Sequence, residues 1–185
     1  MSVSQDRYIY EILDRFHMTD CKPASTPFPT GTVLTKEMAP ANDEEKMEMK
    51  KKPYQELIGS LMYLTTSTRP DLAYSVGVLC RFMSNPGIQH WNAAKHVLRY
   101  LRHTAELGLT FTASRNGNIG DPKLHGFCDS DYAGCVDSRK STTGYVFFLD
   151  QSTISWSSGL QPLLPHHQRM PNILPYVLRH KNPCI

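Results

Sequence analysis

Lys95, Arg99 and Arg102 are four and three residues apart. On a helix that spacing sets three cations along one stripe, off the apolar face made by Trp91, Ala94, Val97, Leu98 and Leu101. A basic stripe of this kind can lie along a phosphate backbone. An ordinary solvated helix face has the same composition, and the spacing alone serves both readings equally. The run Lys50-Lys51-Lys52 reads as a solvated surface segment rather than a phosphate contact.

Other residue types offer less chemistry. Asp129 and Asp131 flank Ser130, with Gly134 just beyond, and taken alone they read as turn residues. No Asp-Asp pair occurs in the chain, and no acidic residue follows Asp150. The five cysteines form no C-x-x-C pair and are odd in number, which favours reduced thiols over a disulfide framework or a zinc site. His166 and His167 are adjacent, so their rings diverge on a helix or a strand. No carboxylate or thiol stands near them at a metal-ligand spacing.

The chain has 185 residues, 40% hydrophobic and 20% charged, which suits a globular fold and argues against global disorder. The net charge of +3 permits a nucleic-acid partner without requiring one. No apolar run is long enough to span a membrane, and residues 1–7 have no apolar signal core. A soluble intracellular protein without a membrane partner is the expectation, in cytoplasm or nucleus alike.

The elements that must position these residues read as helices first and strands second. Residues 4–17 place Tyr8, Ile9, Ile12, Leu13 and Phe16 at helical spacing. Residues 21–52 form a proline-rich connection, partly helical at its charged end. A second helix spans about 53–65, with Pro53 in its first turn and Tyr54, Leu57, Ile58, Leu61 and Met62 on its apolar face. Thr68 is the expected N-cap of a third helix, which Asn85-Pro86-Gly87 ends. The fourth spans about 91–103.

Beyond Ala105 the period shortens. Segments 107–112, 124–128, 143–149 and 153–157 read as strands, with Asn116-Gly117 as a hairpin turn between the first two. An α+β fold is the expectation, divided into a helical part, 1–105, and a strand meander, 106–158. The tail, 159–185, is rich in proline and histidine and is expected to hold little regular structure.

Several blocks together resemble a known family. Tyr54 to Leu64 reads YQELIGSLMYL, and Thr68-Arg69-Pro70-Asp71-Leu72-Ala73-Tyr74 follows. Then come His90-Trp91-Asn92-Ala93-Ala94-Lys95 and Leu98-Arg99-Tyr100-Leu101. Later blocks are Cys128-Asp129-Ser130-Asp131-Tyr132-Ala133-Gly134, Arg139-Lys140-Ser141-Thr142-Thr143-Gly144-Tyr145 and Ile154-Ser155-Trp156. Over residues 4–158 their order and spacing resemble the Ty1/copia class of retrotransposon Pol polyproteins, at the end of the reverse transcriptase and the start of the RNase H region.

That resemblance implies a thumb and connection part followed by an incomplete RNase H-like meander. It raises the phosphate-contact reading of Lys95, Arg99 and Arg102, with an RNA–DNA or DNA duplex as partner. It also implies Mg²⁺ as the cofactor of the complete enzyme and Asp129 as the first-strand carboxylate, with Asp131 the lesser candidate. The polymerase carboxylates of the family lie on a Tyr-Val-Asp-Asp hairpin upstream of the matched part. Its next RNase H ligand is a glutamate in a Ser-Thr-x-Glu-Ala-Glu-Tyr segment, which this chain lacks. Divalent ions need several oxygen ligands, and one or two aspartates on one strand do not supply them. The expectation is therefore a non-catalytic Pol remnant, with Asp129 as metal ligand only if a complete site forms. The alternative is a subunit-like fragment that contributes to reverse transcription or RNase H cleavage together with other Pol segments.

The tail suggests its own origin. Codons allowed for residues 168–175, Gln-Arg-Met-Pro-Asn-Ile-Leu-Pro, encode Glu-Asp-Ala-Glu-Tyr-Ile-Ala in a shifted frame. The first alanine is forced by the single methionine codon and the two cytosines that open every proline codon. This resembles the missing glutamate segment and implies a frameshift between Trp156 and His166. Without its covering helices, the meander is expected to be the marginal part of the fold, with Tyr145, Phe147 and Leu149 on one side and without partners.

Overall fold

The computed structural model describes residues 1–111, 123–131 and 134–161. Among them, a short strand β1 (Ser2–Ser4) precedes five helices: α1 (Asp6–Arg15), α2 (Asp43–Lys50), α3 (Tyr54–Ser67), α4 (Ala73–Cys80) and α5 (Ile88–His103). Strands β2 (Gly108–Thr110), β3 (Leu124–Ser130), β4 (Thr142–Leu149) and β5 (Ser152–Leu160) follow. The architecture is α+β, a helical cluster joined to an antiparallel sheet.

The helical core follows from the apolar periods. Ile9, Ile12 and Leu13 of α1, Leu57, Leu61 and Leu64 of α3, and Ala94, Val97, Leu98 and Leu101 of α5 are all essentially inaccessible to solvent. A buried leucine of this kind contributes about 1.5–3 kcal/mol relative to an exposed one. Leu72, Val76 and Leu79 complete the cluster. Met62, expected on the apolar face of α3, is exposed instead; the buried row passes through Leu57, Leu61 and Leu64, and Met62 falls beside it.

Helix ends differ from the expectations in informative ways. Ser4, expected at the start of the first helix, instead ends strand β1, and α1 begins at Asp6. After α1, His17 takes a left-handed conformation (φ 54), and the N–H of Met18 returns to Leu13 O at 2.7 Å, closing the helix. Helix α2 is capped by Asn42, which accepts the N–H of Glu45 at 2.8 Å, while the Glu45 carboxylate accepts the N–H of Ala41 at 2.9 Å. Thr68 does not cap a third helix. It ends α3, and its hydroxyl donates to Gln5 Oε1 at 2.6 Å. A 3₁₀ turn, Pro70–Leu72, separates it from α4.

Helix α5 starts three residues before Trp91 because His90 closes its first turn. Nδ1 of His90 accepts the N–H of Gly87 at 2.8 Å, and Nε2–H donates to Thr35 O at 3.1 Å. The ring stacks on Phe82 with centroids 4.0 Å apart. The connection passes so close that a Cβ on Gly87 would lie 1.8 Å from Met38 O, so only glycine fits there.

Strand β2 does not pair with β3, as the Asn116-Gly117 hairpin would require; that turn lies outside the described residues. It pairs antiparallel with β1, Val3 opposite Leu109. The reason is the packing of α1 against α5: β1 enters α1 and β2 leaves α5, so the two strands are brought side by side. The other three strands form the expected meander, in the order β3-β4-β5. Asp150 takes a left-handed conformation (φ 53) in the tight turn between β4 and β5.

One face of this sheet lies on the helices. Trp156 Nε1 donates to Thr65 O at 2.7 Å, and Arg81 Nη2 reaches Thr142 Oγ1 at 3.4 Å. On the other face, Leu124, Gly126 and Cys128 stand opposite Leu149, Phe147 and Tyr145. Phe147 covers Gly126 and is partly buried, whereas Leu124, Tyr145 and Leu149 are exposed.

Candidate nucleic-acid interface

Lys95, Arg99 and Arg102 all lie on α5, and a segment of the chain is fastened to two of them. Lys95, Arg99 and Arg102 are each partly buried. Arg99 Nε donates to Lys22 O at 2.7 Å, and Arg102 Nη1 donates to Cys21 O. In return the N–H of Ala24 donates to Arg99 O at 3.2 Å. Residues 21–24 therefore run along the stripe as a strap. His96, one turn before Tyr100, is held below the ordinary histidine range by burial and then by the Arg99 cation.

The cations of this face carry no carboxylate partner among the described residues. Among the described residues, ion pairs join Arg7 to Glu11, Arg15 to Glu56, Lys46 to Asp43, Lys52 to Glu48 and Arg69 to Asp71. None includes Lys95, Arg99 or Arg102. The strap offers neutral carbonyl oxygens, which orient guanidinium groups without cancelling their charge.

The carboxylates are placed differently. Asp129 is exposed at the end of β3, and its Oδ1 accepts the N–H of Ser130 at 2.8 Å. Asp131 Oδ1 accepts the N–H of Thr142, and its own N–H donates to Thr142 O at 3.1 Å. It thus closes the approach to β4, and a Cβ on Gly134 would meet Asp131 Oδ2 at 2.0 Å. Both aspartates line a cleft of about 440 Å³ between the sheet and the Pro70–Leu72 turn. Asp71 lines it too, but its carboxylate is bound by Arg69 and by the Tyr100 hydroxyl, the latter at 2.9 Å.

Among the described residues no group of three histidines, cysteines, aspartates or glutamates is arranged to hold a metal ion. A magnesium site does not fit this donor set, because one of the two strand aspartates serves the backbone turn and Asp71 serves an ion pair. His166, His167 and His180 lie outside the described residues. No helix among those residues is long and apolar enough to cross a membrane.

The comparisons agree with the sequence blocks. The chain is 48% identical over 159 residues to the retrovirus-related Pol polyprotein from transposon TNT 1-94 of Nicotiana tabacum, covering 86% of this chain and 12% of that protein. It is 38% identical over 161 residues to the retrovirus-related Pol polyprotein from transposon RE2 of Arabidopsis thaliana, covering 87% of this chain and 10% of that protein. The chain is homologous to segments of retrovirus-related Pol polyproteins from Ty1/copia-type transposons.

The Pol segment corresponds to a small part of either polyprotein's length. It is also 50% identical over 113 residues to the secreted RxLR effector protein 161 of Plasmopara viticola, covering 61% of this chain and 76% of that protein. No protein-family model and no solved structure matches it.

Two features of this Pol segment escaped the sequence reading. The strap reads in the sequence only as connection, although Pro23 and Pro27 favour an extended chain there. Arg69 and Asp71 stand in one sequence block, and nothing there announces that they pair. Arg69 is in fact buried to 1% exposure, and its Nη1 and Nη2 donate to Thr104 O and Oγ1 at 3.0 and 2.7 Å.

Proposed function

We propose that this Pol segment is non-catalytic in itself and holds a nucleic-acid duplex against the α5 face through Lys95, Arg99 and Arg102. The helical cluster is, on this reading, the thumb and connection part of a reverse transcriptase, and β3-β4-β5 the opening meander of an RNase H-like domain. The observation that carries the proposal is the three cations of one helix face without a carboxylate partner among the described residues. A duplex with charges every few ångströms supplies what that face lacks, and its grip is independent of base sequence.

Asp129 stands as a vestige of the first-strand ligand. Its support is the position at the end of β3 in the Cys128–Gly134 block. No magnesium is assigned to it, since two-metal cleavage requires further oxygen ligands that the described residues do not bring together.

The test is one experiment with two readouts. Purified chain is mixed with a labelled RNA–DNA hybrid, with magnesium or manganese present, and both retention and cleavage are followed. Salt-sensitive retention without cleavage is the expected result. Cleavage that an Asp129→Asn substitution abolishes would overturn the non-catalytic reading, and absence of retention at low salt would overturn the duplex-binding one.

A further inference from the structure

Resting on that duplex-binding reading, we propose that the strap is part of the interface and that Lys22 is a fourth phosphate contact. The strap is tied to α5 at three points: Arg99 Nε to Lys22 O, Arg102 Nη1 to Cys21 O, and the Ala24 N–H to Arg99 O. Its backbone is therefore placed by the same two guanidinium groups that define the stripe. Lys22 itself is exposed, and among the described residues no carboxylate pairs with it.

The arrangement has an electrostatic and a geometric consequence. Four cations gather on one surface drawn from two chain segments, Lys22 from the strap and Lys95, Arg99 and Arg102 from α5. Arg15 and Lys46 of the helical part are compensated by Glu56 and Asp43, whereas these four stand in no ion pair among the described residues. The two strap carbonyls each take one donor of a guanidinium, which fixes that planar group while leaving other N–H groups on it for a phosphate oxygen. Lys22, next to the carbonyl that Arg99 holds, adds a compact charge beside the fork. A duplex phosphate backbone is the partner this fits, because it offers successive phosphates to a surface of several cations.

The test measures binding of the full chain to a labelled DNA duplex, and separately to an RNA–DNA hybrid, by fluorescence anisotropy over a range of salt. The variants are Lys22→Ala, Lys22→Arg, Lys95→Ala, and Lys46→Ala as a control whose ammonium is already paired with Asp43. Each lost phosphate contact reduces the slope of log affinity against log salt by about 0.9 on B-form DNA. Lys22→Ala is expected to lower the slope as Lys95→Ala does, with Lys22→Arg restoring it and Lys46→Ala leaving it unchanged. If Lys95→Ala lowers the slope and Lys22→Ala does not, the strap proposal fails while the duplex reading stands. If the parent chain shows no salt-dependent binding, the duplex reading itself fails and the strap proposal with it.

Discussion

Arg69 and Asp71 form a two-pronged ion pair two residues apart, Nε to Oδ1 at 3.0 Å and Nη2 to Oδ2 at 2.7 Å. The guanidinium is 1% exposed and the carboxylate 32%, so the pair reaches from the helical core to the cleft in front of the sheet. It also fastens α5. Thr104, just past the end of that helix, takes two further donors of Arg69, and Tyr100 donates its hydroxyl to Asp71. Pro70 between the charged residues holds the 3₁₀ turn that lets both side chains meet.

Breaking this pair from the acid side is predicted to be costly. Asp71→Ala leaves the buried Arg69 charge with only the neutral Thr104 acceptors, and a loss of about 3 kcal/mol follows from the usual cost of orphaning a buried charge. Tyr100→Phe removes one charge-assisted hydrogen bond and costs about 1.5 kcal/mol. Urea unfolding followed by circular dichroism checks both. An Asp71→Ala protein as stable as the parent would show that the pair adds nothing to the fold.

Acid should loosen the junction between α5 and the residue 35–39 connection. His90 is neutral when folded, since Nδ1 accepts from Gly87 and Nε2–H donates to Thr35 O. Burial lowers its pKa from 6.5, against smaller raising effects from the Thr35 carbonyl and the Asp137 carboxylate. The unfolded chain then binds a proton at higher pH than the folded one. The stability is fully present above the unfolded value of about 6.5 and is lost as pH falls through the lower folded value. His96 acts in the same direction. Chemical unfolding between about pH 8 and 5 should show stability falling with acid. In a His90→Ala protein that slope should be shallower, with the share of His96 remaining.

Helical periods made α1, α3 and α5 legible, because each buries one continuous row against the same core. The alternating residues and turns around β4 and β5 made the meander legible for the same reason. What the sequence hid depends on partners far along the chain. Ser2–Ser4 carry no strand signal and pair only because α1 and α5 bring β1 beside β2. Arg69 reads as a surface charge until Asp71, Tyr100 and Thr104 surround it. His90 and Thr35 are 55 residues apart, and no local pattern announces their bond. At the candidate site, the stripe was legible from spacing, whereas the strap that lies on it was not.

Trp156 is predicted to hold the sheet to the helices. Its indole donates to Thr65 O at 2.7 Å, and its neighbour Ser158 lies against Gly77 of α4. Trp156→Phe keeps a smaller aromatic ring and loses the donor, the lost hydrogen bond alone costing about 1 kcal/mol, while Trp156→Ala loses most of the packing as well. Limited proteolysis of the Trp156→Ala protein should cut first within residues 123–161 and leave the helical cluster intact. A protected sheet in that variant would mean that β3-β4-β5 is held by other contacts.

The tail yields a prediction that requires only the gene. Residues 162–185 lie outside the described residues, and their sequence contains no carboxylate. The nucleotide sequence coding for residues 168–175, read in the shifted frame, is predicted to spell Glu-Asp-Ala-Glu-Tyr-Ile-Ala or a close variant. Methionine followed by proline forces GCC, alanine, in that frame, so one position holds for any codon choice. The others depend on it, and an arginine coded AGA or AGG after a glutamine coded CAG is needed for the leading glutamate. If the coding sequence shows these choices, Asp129 stands in a chain whose matching carboxylates were displaced by a shift of frame. Restoring the frame then becomes the way to ask whether a metal site returns, with hybrid cleavage as the readout. If no frame near this point encodes an acidic segment, the tail has another origin and Asp129 has lost nothing there.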